Sequence, residues 1–173
     1  YVCSQLGWSH KKISNTKILV CKNFCSRFLF TYFGYVQNIN LIKKYEPVAI
    51  HAHFGKSGAL ALPLAKQLSI PLIITFHGGD ITKHKHIKYT FLKNIFKRRL
   101  KELKSYSSAF IGVSNFISKK LIEEGFSKKK VFTHYIGINL SNEKINMKRE
   151  NKILFVGRLV EKKGVEILIE AIK

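Results

Sequence analysis

The chain has 173 residues, 46% of them hydrophobic, which is enough to bury a real core and too apolar for a disordered segment. Its 31 Lys and Arg against 10 Asp and Glu give a formal net charge of +21, attractive to any polyanion, yet arginine stands only at Arg27, Arg98, Arg99, Arg149 and Arg158. Arginine grips phosphate bidentately and reads base edges, so a lysine-dominated surface argues against specific nucleic-acid recognition.

Cys3, Cys21 and Cys25 have no histidine partner nearby in sequence, so neither a disulfide framework nor a zinc site is expected and a reducing cytosol is the default. No basic-then-apolar leader opens the sequence, and the charge-free run from Phe28 to Ile42 is too short to span a bilayer. The sequence opens at Tyr1 and closes at Lys173 inside a helical pattern with no glycine or proline stop, which reads as a piece of a longer protein.

In chain order, apolar residues at mixed three and four spacings predict one or two helices between Ile13 and Lys44, ended by Glu46-Pro47. Val48 to His53 then reads as a buried strand, Phe54 to Gly58 as a glycine-bearing turn, Ala59 to Leu68 as an apolar helix, and Pro71 to Phe76 as a second strand running into His77-Gly78-Gly79-Asp80. Two successive strands that each end in histidine and glycine, joined by one helix, predict parallel neighbours whose carboxyl ends open on one crevice. That crevice is the expected seat of chemistry.

From Lys83 to Lys104 the only acid is Glu102, and Ile87, Phe91, Ile95, Leu100 and Leu103 recur at near-helical spacing. This predicts a basic amphipathic helix with its stripe on the sheet and its cations facing solvent or an anionic membrane surface. Ser108 to Val113 reads as a strand, Ser114-Asn115 as the cap of a helix to Glu124 closed by Gly125, and Val131 to Ile136 as the next strand. A polar linker, Gly137 to Glu150, precedes a strand at Ile153 to Val156, the turn Gly157 to Gly164 and the start of a helix. The alternation predicts an α/β fold with a parallel sheet.

The last turn brings together a strand end, Arg158, Lys163 and a helix start, a combination suited to a phosphate or diphosphate. It has neither the glycine-lysine-serine of a P-loop nor the three-glycine dinucleotide fingerprint. His51-x-His53 and His84-x-His86 have strand-compatible ligand spacing, but carboxylates are scarce around them, so no bound metal is expected and a His-ligated metallohydrolase is a minor alternative. Asp80 is the only aspartate, which excludes a metal site built on two aspartates one residue apart. Ser57 and Ser114 lack the glycine flanks of a nucleophile elbow. The alternative from another class is a basic nucleic-acid-binding module, disfavoured because the aromatics of Phe28 to Tyr35 fall in a charge-free run rather than among the cations.

The stretches HAHFGKSGALALPLAK, TFHGGD, FIGVSNFISKKLIEEGF, VFTHYIGINL and GRLVEKKG, in that order, resemble the family 4 glycosyltransferases of two-Rossmann-domain (GT-B) architecture, especially bacterial enzymes of surface-polysaccharide assembly. The likeness runs from about Pro47 to Lys173. It implies an incomplete amino-terminal, acceptor-side Rossmann-like domain over residues 1–149, and over 150–173 the first strand and part-helix of a carboxyl-terminal nucleotide-sugar-binding domain. The implied reaction is retaining and metal-independent, with no cofactor: a hexosyl-type transfer from a nucleotide-sugar to a saccharide or lipid-linked acceptor in polysaccharide or lipopolysaccharide assembly. By position, Arg158 and Lys163, with Gly157 in the same turn, match the donor-diphosphate contacts. His77 matches the catalytic-site histidine on the acceptor side, and His53, Gly55 and Asp80 line the same mouth. Gly79 replaces the aromatic residue usual in that motif. A cytoplasmic enzyme, peripheral on the inner membrane, is implied, and residues 1–173 alone are expected to be inactive.

Overall fold

A computed structural model describes residues 2–4, 18–20, 25, 28–30, 39–82, 95–138 and 151–173, which fall in two compact units, Tyr1–Gly137 and Ile138–Lys173. In the first unit β1 (Val2–Ser4) pairs in parallel with β2 (Ile18–Val20), followed by α1 (Ile39–Lys43). β2 corrects the expectation of helix throughout Ile13 to Lys44. A three-residue apolar run carries too little periodicity to separate strand from helix.

The frame of the first unit is a four-stranded, all-parallel sheet in the order β3 (Ile50–His53), β4 (Leu72–Phe76), β5 (Ala109–Gly112), β6 (Val131–Thr133). Parallel neighbours need a crossover, and helices supply each one here. These are α2 (Gly55–Leu68), then the short α3 (Gly79–Thr82) with α4 (Ile95–Tyr106), then α5 (Asn115–Glu123). Register places His53 beside Thr75, and Phe76 beside Gly112, so the carboxyl ends of β3, β4 and β5 lie along one edge.

The strands are shorter than their apolar runs. Val48 is 86% exposed and outside β3, and Tyr135 and Ile136 are exposed beyond β6. Helix α2 starts four residues before the expected Ala59, at Gly55. Its N-cap residue, Phe54, offers no side-chain cap, so no local signal marked the start. It ends at Ser69 in the left-handed conformation, whose N–H reaches back to Lys66 O. Helix α5 has the expected cap, Ser114 Oγ accepting from Ile117 N at 3.3 Å, and the expected stop at Gly125 with φ +79°.

Ile74 and Phe76 of β4, Leu62 of α2, Leu103 of α4, Phe110 of β5 and Leu121 of α5 form a dry core. Phe110 meets Phe126 edge to face with centroids 4.7 Å apart, an arrangement adding about 0.5–1.5 kcal/mol beyond area burial. The helices approach closely because glycine faces the sheet. A Cβ on Gly58 would stand 2.5 Å from Ile74 Cδ1, and one on Gly55 would stand 2.7 Å from the Phe96 ring. Of the expected basic helix, residues 95–106 are helical, with Ile95, Phe96 and Leu103 buried, while Ile87 and Phe91 lie outside the described residues.

In the second unit the expected strand at Ile153 to Val156 is not formed, which corrects the expectation of a first strand there. A strand is defined by its ladder, and among the described residues this segment has no strand beside it. A 3₁₀ turn (Glu161–Lys163) leads into α6 (Val165–Ala171), and no described residue of this unit is buried.

Candidate functional site

The site lies where β3 and β4 end. Alternate residues of a strand face one side, so His51 and His53 share a face, and the register aligns them with Ile73 and Thr75. His51 Nε2 bonds Thr75 Oγ1 at 2.7 Å, and His53 Nδ1 bonds His77 Nε2 at 3.0 Å. The rings form a file: His51 to His53 centroids are 4.7 Å apart, His53 to His77 5.2 Å, and Phe54 packs on His77 at 4.5 Å. Burial first, and the neighbouring His53 second, hold the His51 imidazole below its ordinary pKa of 6.5. The residue as a whole is exposed, so water screens the effect and the stability at stake is modest.

Asp80 is the hub of the adjoining loops. Its Oδ2 accepts the N–H of Gly55 at 3.0 Å, while Oδ1 accepts those of His77 at 3.2 Å and Gly78 at 2.9 Å. The carboxylate therefore caps α2 from 25 residues away and fixes the main chain that carries His77. Phe54, between His53 and Gly55, has φ 72° and ψ 142°, a sparsely populated conformation for a residue with a side chain. Such strain persists where surrounding contacts determine it and clusters at functional sites. Phe54 N donates to Thr75 O at 2.8 Å, which holds it there.

Four of the expected residues, His53, Gly55, His77 and Asp80, thus meet at one sheet edge. Gly55 is buried against Phe76 and Phe96, so its part is to let the helix approach and to donate to Asp80. Thr75 and Phe54 were not singled out from sequence. Thr75 is two residues before His77 on the same strand face, a period-two signal that points to it once β4 is placed. Among the described residues no group of three or more His, Cys, Asp or Glu side chains is arranged to hold a metal ion, and His84 and His86 lie outside them.

In the second unit, Arg158 and Lys163 are both exposed, on either side of the turn. Lys163 N donates to Val160 O at 2.8 Å and Gly164 N to Glu161 O at 2.9 Å, so these amides are engaged within the turn and contact with an anion falls to the side chains. Gly164 has φ +67° and is the N-cap of α6, a conformation that favours glycine. Gly157 brings the main chain against Phe155, whose ring would lie 3.3 Å from a Cβ there.

Residues 13–142 match the Glycosyltransferase Family 4 family. Similar proteins include an uncharacterized glycosyltransferase of Methanocaldococcus jannaschii, 36% identical over 137 residues that make up 78% of this chain and 36% of that protein. An amylovoran biosynthesis glycosyltransferase of Erwinia amylovora is 34% identical over 127 residues, 69% of this chain and 29% of its own length. A capsular polysaccharide biosynthesis glycosyltransferase of Staphylococcus aureus is 28% identical over 137 residues, 78% of this chain and 38% of its own length. The chain spans about a third of the length of these relatives.

Proposed function

This chain belongs to glycosyltransferase family 4, and on that premise we propose that it is the acceptor-side part of an enzyme that moves a sugar, with retention, from a nucleotide-sugar to a saccharide or lipid-linked acceptor in polysaccharide assembly. The observation that carries this reading is the His53–His77 pair and Asp80 at the joined carboxyl ends of two parallel strands. In α/β sheets such ends are where ligands bind. The site offers imidazole nitrogens to a sugar hydroxyl, held on main chain that Asp80 fixes.

Residues 1–149 form the acceptor-side domain in this reading, and 150–173 open a donor domain in which Arg158 and Lys163 meet the diphosphate. Negative charge grows on the departing nucleoside diphosphate as the glycosidic bond breaks, and cations fixed beforehand lower that barrier. His77 orients the acceptor hydroxyl, so positioning supplies much of the remaining rate. No metal or cofactor has a part in this scheme. The exposed Lys97 and Lys101 of α4 support docking on an anionic membrane, where a lipid-linked acceptor resides. Among the described residues no helix is long and apolar enough to cross a membrane.

The test is His77→Ala in the complete enzyme. Turnover should fall much more than donor affinity, because the residue acts on the acceptor side in the transition state. Unchanged specific activity of the folded fraction, with only a lowered melting temperature, overturns the assignment. Sugar transfer by residues 1–173 alone overturns the division into acceptor and donor parts.

A further inference from the structure

Among the described residues, Glu46, Phe54 and Ser69 have positive φ without being glycine. Glu46 and Ser69 follow helices, whose last turns commonly close on such a residue. Phe54 stands instead at the end of β3, and its φ 72° and ψ 142° border a region that essentially only glycine populates. The main chain is pinned there: Phe54 N donates to Thr75 O at 2.8 Å, Phe54 O accepts from Gly58 N at 3.1 Å, and Gly55 N donates to Asp80 Oδ2 at 3.0 Å. None of these bonds uses the Phe54 side chain, so glycine would make them all without strain. The ring adds little to the core, because Phe54 is 50% exposed and its ring contact is His77, at 4.5 Å. Phe116 and Phe132 are exposed as well, but on ordinary helical and strand backbone. A bulky side chain kept in a strained conformation, half in water and against an imidazole of the site, points to a binding role.

We infer that Phe54 is the stacking platform of the acceptor site, and that it selects an acceptor presenting a pyranose ring over one presenting an open-chain polyol. The face of a phenyl ring carries negative charge density, while the C–H bonds on one face of a pyranose form its apolar, weakly positive side. Stacked together, the two surfaces attract and leave water at once. An open-chain polyol has no such rigid face. The pinned backbone also fixes the ring before a sugar arrives, so little conformational freedom is lost on binding. Because the ring packs on His77, a sugar resting on it lies next to the His53–His77 pair. The inference rests on the reading of this edge as the acceptor site, but the stacking itself does not require that transfer occur.

The experiment is proton NMR titration of the complete enzyme with methyl β-glucoside and methyl β-galactoside, with glucitol as the open-chain comparison. In the wild type, at least one pyranoside should bind with the C–H protons of one face shifted upfield by an aromatic ring current, and glucitol should bind more weakly without that shift. Phe54→Tyr should bind the pyranoside as the wild type does. Phe54→Leu, apolar but without a flat face, should raise its Kd about three- to ten-fold, the range expected of one aromatic contact, and should remove the upfield shift. Pyranosides that show no upfield shift with the wild type, or glucitol bound as tightly as they are, overturn the inference, and neither result needs a variant to fold. A folded Phe54→Leu with the wild-type Kd and shift overturns it as well. Pyranosides stacked on Phe54 in a protein that transfers no sugar leave the platform standing and remove the functional reading instead.

Discussion

The main-chain N–H of Gly55 donates to Asp80 Oδ2 across 3.0 Å, so a helix with no cap of its own is capped by a carboxylate from the end of the neighbouring strand. With His77 N and Gly78 N on the other oxygen, one side chain satisfies three amides and ties two strand-end loops together. Asp80→Asn keeps one acceptor oxygen and sets an NH₂ against an N–H. It should cost about 1–3 kcal/mol, read as a lower urea midpoint with unchanged slope. An unaltered midpoint with weakened acceptor binding would instead make Asp80 a sugar contact.

Gly55→Ala should destabilise by about 1–3 kcal/mol, because its Cβ would lie 2.7 Å from Phe96 and 2.8 Å from Phe76, two ring edges packed in the core. Gly79→Ala is the comparison, since nothing lies within 4 Å of a Cβ there and its φ is not positive. That variant should stay within about 0.5 kcal/mol of wild type. Equal melting temperatures for the two variants would show that the rings move aside.

These two positions also show what could be read in advance. The strand β4 and the helix α5 with its stop follow from β-branched runs, a serine cap and glycine punctuation, all signals contained within a few residues. The start of α2 was misplaced because its cap comes from Asp80, a tertiary contact that no local pattern encodes. Ile153 to Val156 has the composition of a strand, but a ladder requires a neighbour as well as a sequence. His53 and His77 were legible as strand-end residues, whereas their mutual bond depends on the β3–β4 register.

Stability should decline in acid partly through His51. Its folded pKa is depressed, by burial and then by His53, while in the unfolded chain it titrates near 6.5. The unfolded state therefore binds the proton more readily. The contribution of this group is fully present above pH 6.5 and is lost as pH falls below that value toward the folded pKa. His51→Gln can keep a bond to Thr75 without titrating, so its urea midpoint should fall less than that of wild type between about pH 7 and pH 5. Parallel declines would remove His51 from the acid response.

Membrane docking, if the face of α4 carries it, should depend on charge. Lys97→Glu with Lys101→Glu should weaken binding to vesicles containing anionic lipid at low salt, by about 1 kcal/mol for each cation lost near the surface. Salt should weaken the wild type in the same way. Equal binding of wild type to neutral and anionic vesicles would count against the idea.

The donor assignment makes the most specific demand. In the second unit the amides of Lys163 and Gly164 are already engaged, so Arg158 and Lys163 must act on a diphosphate through their side chains. A planar guanidinium holds two oxygens at once and an ammonium holds a point, so Arg158→Lys should already weaken binding of the nucleoside diphosphate product in the complete enzyme. A charge-assisted bond is worth about 1.5–3 kcal/mol, which predicts a loss of roughly ten-fold or more. Lys163→Ala should weaken the diphosphate more than the corresponding monophosphate. Lys128→Ala and Lys144→Ala are the comparison, because a protein with a net charge of +21 attracts any anion weakly and each should change that background alike. Calorimetric titration of nucleoside diphosphate into the four variants decides between a built site and that background, and indistinguishable affinities would end the assignment.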